Sequence, residues 1–141
     1  MVLKQLPENE EADLILWADG GTIGGSPGTG VYWSIGNDTQ GVVRYRDESG
    51  SMIRSDEAEY LALKAALQLM LHVCQPGQVA VVYMDCRPIV WHIKTQHKPR
   101  NKRLRSLYWD IQELLARLDE NGVDVAFRWV PRRKMVEILG H

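Results

Sequence analysis

Only two cysteines, Cys74 and Cys86, occur in 141 residues, and they form no CxxC pair. A disulfide framework and a cysteine zinc site are thereby set aside, and both read as reduced thiols of a cytoplasmic protein. No apolar run approaches the roughly 20 residues that span a bilayer, and no signal-peptide pattern opens the chain, so no membrane partner is expected. An excess of one charge is missing too, because 17 Lys and Arg stand against 18 Asp and Glu. Internal repeats and linkers are also lacking. The length suits one domain around one core.

What is present is unevenly placed. The acidic "PENEEAD" opens the chain, whereas six of the twelve residues in "KTQHKPRNKRLR" are Lys or Arg. Arg128, Arg132, Arg133 and Lys134 make a second basic cluster. Such clusters suit a polyanion surface on a near-neutral protein, or merely a solvated helix face.

Residues 1–12 read as a flexible leader and 13–141 as the domain. "LILWA" is a buried strand ending in a "DGG" turn, and the Gly-rich "GGTIGGSPGTG" reads as a loop leading to "VYWSI". "VVRYR" completes an antiparallel meander. "SDEAEYLALKAALQLMLHV" is a strong helix capped by Ser55 or Asp56, and "VAVVYM" is a second buried strand. "RPIVWHIKTQ" and "LRSLYWDIQELLARL" are helices, the first tolerating Pro88 in its opening turn. "VDVAFRWV" is the last strand, and the tail forms a short helix. The order implies an α/β layer fold with one mixed sheet.

Three acids stand where such folds place chemistry. Asp19 and Asp85 each end an apolar run, and Glu59 lies in the first turn of the long helix. Each alone has a structural explanation: Asp19 starts a turn, Asp85 caps a helix, and Glu59 follows Asp56 at capping-box spacing. Together they compose a hard oxygen site suited to Mg2+ or Mn2+, which supports phosphodiester hydrolysis. Basic residues alongside would hold the phosphates.

At these motifs the chain resembles the type 1 ribonuclease H family, from about Leu14 to its end. "WADGGTIGGSPGTGV" is similar to the family's DG…NPG…G opening, "EAEYLAL" to the helix bearing its glutamate, and "VYMDCRPIVWHI" to YxDSxxVVxxI. "HKPRNKRL" resembles WKxKNxxL, and "WVPR" matches the end of the last strand. The resemblance implies a ribonuclease H-like fold, with a mixed five-stranded sheet flanked by helices. It also implies two Mg2+ ions, with Mn2+ as a substitute, and endonucleolytic cleavage of the RNA strand of RNA/DNA hybrids by a cytoplasmic monomer. Asp19, Glu59 and Asp85 would be catalytic and metal-binding. Gly20, Ser26, Asp56, Lys98, Arg100 and Asn101 would contact nucleic acid, with RNA told from DNA by its 2′-hydroxyls.

The chain departs from the family in places. Ser26 stands where asparagine is common, Asp56 or Ser55 replaces a substrate-contacting asparagine, Cys86 replaces serine, and His97 replaces tryptophan. The tail "WVPRRKMVEILGH" aligns in two ways with WVPRxxNxxADxLA. Without a gap, Leu139 falls on the family's fourth acid. With the loop two residues shorter, Glu137 takes that place, and this alignment is preferred because Leu139 then meets the family leucine. The family's mobile histidine has a counterpart only if His141 serves. His72 and His92 read as packing or surface residues. Other readings of the same motifs are a non-catalytic module binding hybrids or duplexes, and a polynucleotide-processing enzyme of the integrase or exonuclease kind.

Overall fold

The computed structural model describes residues 12–23, 26–35, 39–46 and 55–139, with side chains over 12–20 and 56–137. Nearly all of the expected leader lies outside the described residues, as does His141. Among the described residues, five strands and four helices follow the expected order: β1 (Leu14–Ile23), β2 (Ser26–Ile35), β3 (Thr39–Arg46), α1 (Ser55–Val73), β4 (Val79–Met84), α2 (Arg87–Thr95), α3 (Lys102–Glu120), β5 (Asp124–Trp129) and α4 (Arg132–Leu139). They build one five-stranded sheet in the order β3-β2-β1-β4-β5. The first three strands are antiparallel, whereas β4 runs parallel to both β1 and β5.

The glycine-rich segment departs from its reading as a turn and loop. β1 continues through Gly20 and Gly21 to Ile23, and β2 already begins at Ser26, with Thr22 opposite Pro27. Gly and Pro argue against strand interiors on local grounds, but ladder pairing between neighbouring strands overrides that preference here.

Side chains alternate across β1 and β4 and feed two cores. Leu14, Leu16 and Ala18 join Ala80, Val82 and Met84 on one face, under Tyr60, Leu63, Leu67 and Met70 of α1 and Ile111 and Leu118 of α3. Ile15, Trp17, Val81 and Tyr83 line the opposite face with Val130 and Met135, the latter from α4. Ala12, read as leader, packs against this second cluster. Asp13 accepts from the Val79 amide at 2.8 Å and donates its own amide to the Val79 carbonyl at 2.9 Å, fixing where the sheet begins. No helix of the described residues is long and apolar enough to cross a membrane.

Candidate metal centre and its basic rim

β1 and β4 are parallel neighbours, and their last matched pair is Trp17 with Tyr83, whose rings stack 4.5 Å apart. Asp19 and Asp85 each follow two residues later. The parallel register therefore delivers both acids to the same edge of the sheet, Asp19 from inside β1 and Asp85 just past the end of β4.

Glu59 comes from α1, which rides unusually close to β1. A Cβ on Gly20 would overlap the Ala58 carbonyl, so only glycine lets helix and strand approach here. Gly20→Ala is expected to cost about 3 kcal/mol, the upper end for overpacking, because backbone rather than a side chain must yield. A urea midpoint indistinguishable from wild type would contradict that contact.

The three acids present ligand oxygens that lie within 4.8 Å of one another. Asp19 is 3% exposed, and the Asp85 side chain 5%. Crowding buried carboxylates is costly, and Glu59 carries the cost. Its pKa is raised from 4.5 to about 9, first by burial and then by the charges of Asp19 and Asp85, while a hydrogen bond from the Gly20 amide pulls it down. Glu59 Oε2 is buried without a hydrogen-bond partner. Clustered carboxylate oxygens, one of them unsatisfied, are the donor set of a hard divalent cation, which would relieve both the repulsion and the orphaned atom.

Asp85 is held from several sides by residues that sequence reasoning assigned no such task. The Arg132 guanidinium stands 3.7 Å from its Oδ2, 73% exposed against 5% for the acid. The Trp129 indole N–H donates to its backbone carbonyl at 3.0 Å, and Arg87 lies 4.0 Å above that same indole ring. The "WVPR" match marked this strand end, but nothing in a linear string shows that Arg132 would face Asp85. Next in the chain, Cys86 is a half-buried free thiol whose pKa is pushed up to about 11, chiefly by burial. It stays a neutral filler, as read from the sequence.

Glu137 is not brought to the triad. It is 58% exposed on α4 and pairs with Lys134 at 3.6 Å. At 100° per residue it lies about 200° around the helix from the fully buried Met135, so packing that residue inward turns Glu137 outward.

The expected nucleic-acid contacts lie on several elements. Gly20 serves the close helix–strand approach. Asp56 accepts from the Glu57 amide at 2.9 Å in the first turn of α1, and Asn101 caps α3 by accepting from the Arg103 amide at 2.9 Å. Lys98 and Arg100 are exposed in the loop between α2 and α3. Arg105 pins that loop by donating to the Pro99 and Arg100 carbonyls at 3.2 and 2.7 Å. His97 stacks on the exposed Trp91, centroids 4.8 Å apart. His92, by contrast, is half-buried against the Tyr60 hydroxyl at 3.1 Å, the packing one of the two roles read for it. The side chains of Ser26 and Ser55 lie outside the described ones.

The description "Reverse transcriptase-like" belongs to the family that matches residues 18–137. No curated protein matches the sequence. Solved structures do match in fold. The N-terminal ribonuclease H domain of a Mycobacterium tuberculosis protein, determined as a fusion with maltose-binding protein, superposes with TM-score 0.71 at 24% identity, over 87% of this chain and 90% of that one. Ribonuclease H1 of the halophilic archaeon Halobacterium salinarum gives 0.69 at 20%, over 90% and 91%. A ribonuclease H1 from compost, LC11, determined with an RNA/DNA hybrid, gives 0.69 at 22%, over 89% and 90%. With a family match across most of its length, the chain belongs to the reverse transcriptase-like family, and its mixed sheet has the ribonuclease H-like fold.

Proposed function

We propose that this protein is a ribonuclease H, hydrolysing the RNA strand of RNA/DNA hybrids with two Mg2+ ions, or Mn2+ in their place. The observation that carries the reading is the convergence of Asp19, Glu59 and Asp85 oxygens within 4.8 Å at one sheet edge. Divalent cations held there supply Lewis acidity toward a phosphoryl oxygen and lower the pKa of water. The chain's own residues do the rest. Asp19 and Asp85, fixed by parallel strands, hold the ligand oxygens in place. Glu59 takes part once its proton leaves, and the Gly20 amide steadies the resulting carboxylate. Arg132 stands beside Asp85, and the exposed Lys98 and Arg100 with the Trp91–His97 stack offer a basic, aromatic surface suited to a nucleic-acid backbone. Specificity for RNA would rest on 2′-hydroxyl contacts, not base reading.

The test is cleavage of an end-labelled RNA/DNA hybrid with Mg2+, Mn2+ or EDTA. Metal-dependent cutting of the RNA strand is the expected result, and cutting of DNA alone would refute it. Glu137→Gln, run alongside, is expected to retain cleavage within about twofold, since exposed substitutions away from a site cost little. A loss beyond tenfold would restore Glu137 as a fourth ligand. One observation, that exposed position of Glu137, favours a second reading as a binding module. Tight hybrid binding with no turnover under either metal would place that reading first.

A further inference from the structure

Trp129 closes β5 opposite Met84 and stays 37% exposed, so burial alone does not explain a side chain of its size there. Its surroundings do. The indole N–H donates to the Asp85 carbonyl at 3.0 Å, and the face of the same ring carries the Arg87 guanidinium at 4.0 Å. Residues 85 and 87 lie where β4 gives way to α2, so that junction meets the indole by edge and by face. β4 has ended at Met84, whose carbonyl accepts the Val130 amide at 2.8 Å. Asp85 thus stands beyond the strand that orients its neighbours. Arg132 meets its carboxylate at 3.7 Å, mostly in solvent.

We infer that Trp129 is a positioning residue for ion binding: its indole N–H fixes the Asp85 backbone and thereby the aim of the Asp85 carboxylate toward the divalent cation. The inference rests on the metal-site reading given above. Arg87, stacked on the ring, limits its rotation and keeps the N–H directed at the carbonyl. Partners that orient a ligand without touching the metal typically account for tenfold or more in affinity.

The substitution that isolates this role is Trp129→Phe, which keeps an aromatic face for Arg87 and deletes the donor. Mn2+ affinity of the intact protein, measured by titration calorimetry with MnCl2, is expected to weaken about tenfold. The urea midpoint should stay at the wild-type value. In cleavage assays the Mn2+ concentration for half-maximal rate should rise by the same factor, while the rate at saturating Mn2+ recovers. Trp109→Phe, an exposed tryptophan on α3, should change none of these. Unchanged Mn2+ affinity in Trp129→Phe would overturn the inference, and so would a loss matched by a lower urea midpoint, which would make the residue merely structural. If wild type and Asp85→Asn bind Mn2+ equally, or neither binds it, the metal-site reading itself fails and the inference falls with it.

Discussion

Asp85→Asn is expected to reduce hybrid cleavage at saturating Mg2+ by on the order of 1000-fold, the equivalent of several kcal/mol of lost transition-state stabilisation. The Asp85 side chain is nearly buried, and its oxygens converge with those of Asp19 and Glu59. Asparagine keeps the shape and the backbone carbonyl that receives the Trp129 indole, but it offers a neutral oxygen in place of an anionic one. The fold should survive, because the substitution removes one of the charges that raise Glu59. The Arg132 ion pair is lost, yet an arginine 73% exposed is readily solvated. Turnover and urea unfolding must be measured on one preparation. Wild-type cleavage by a folded Asp85→Asn protein would remove Asp85 from the ligand set.

The second large effect concerns pH. In the folded, metal-free protein Glu59 holds its proton to about pH 9, against 4.5 for the ordinary group. Between those values the folded state binds a proton that the unfolded state has released. Stability is therefore full below pH 4.5 and falls as pH rises toward 9, by a few kcal/mol across the window. Glu59→Gln abolishes the titration, so in EDTA the variant is expected to exceed wild type in stability at pH 8.5 and to approach it near pH 4.5. His92, whose pKa is lowered by burial and by His97, slopes the opposite way at mildly acidic pH, in both proteins alike. Mg2+ should narrow the difference by stabilising wild type increasingly as pH rises, since the cation competes with that proton. Urea unfolding at both pH values, with and without Mg2+, measures this. Parallel pH profiles for the two proteins in EDTA would show that Glu59 is ionised at neutral pH after all.

Much of the fold was legible because its elements are strongly patterned. The apolar runs before Asp19 and Asp85 read as buried strands, and the parallel register then made neighbours of acids that are 66 positions apart in the chain. α1 was legible from its helical spacing. The antiparallel pairing of β1 and β2 was legible too, but its continuation through the glycine-rich segment was not, because Gly and Pro signal turns locally while ladder pairing is decided by the partner strand. Glu137 illustrates a different limit. An alignment can place an acid at a family position, but burial of Met135 sets the rotation of a two-turn helix, and that rotation sends Glu137 to solvent. Nor does spacing reveal that Arg132 meets Asp85, since the contact joins the start of α4 to the end of β4.

The missing Cβ at Gly20 has a consequence for how this protein can change over evolutionary time. Strand and helix meet there backbone to backbone, so the distance between the neighbouring acids Asp19 and Glu59 is inherited from main-chain contact, not from the side chains beneath. Leu16, Leu63 and Leu67 can then be exchanged for other apolar residues of similar volume while the spacing of the acids drifts little. The sequence under the site is free to diverge. The methyl group absent from position 20 is the change it cannot accept.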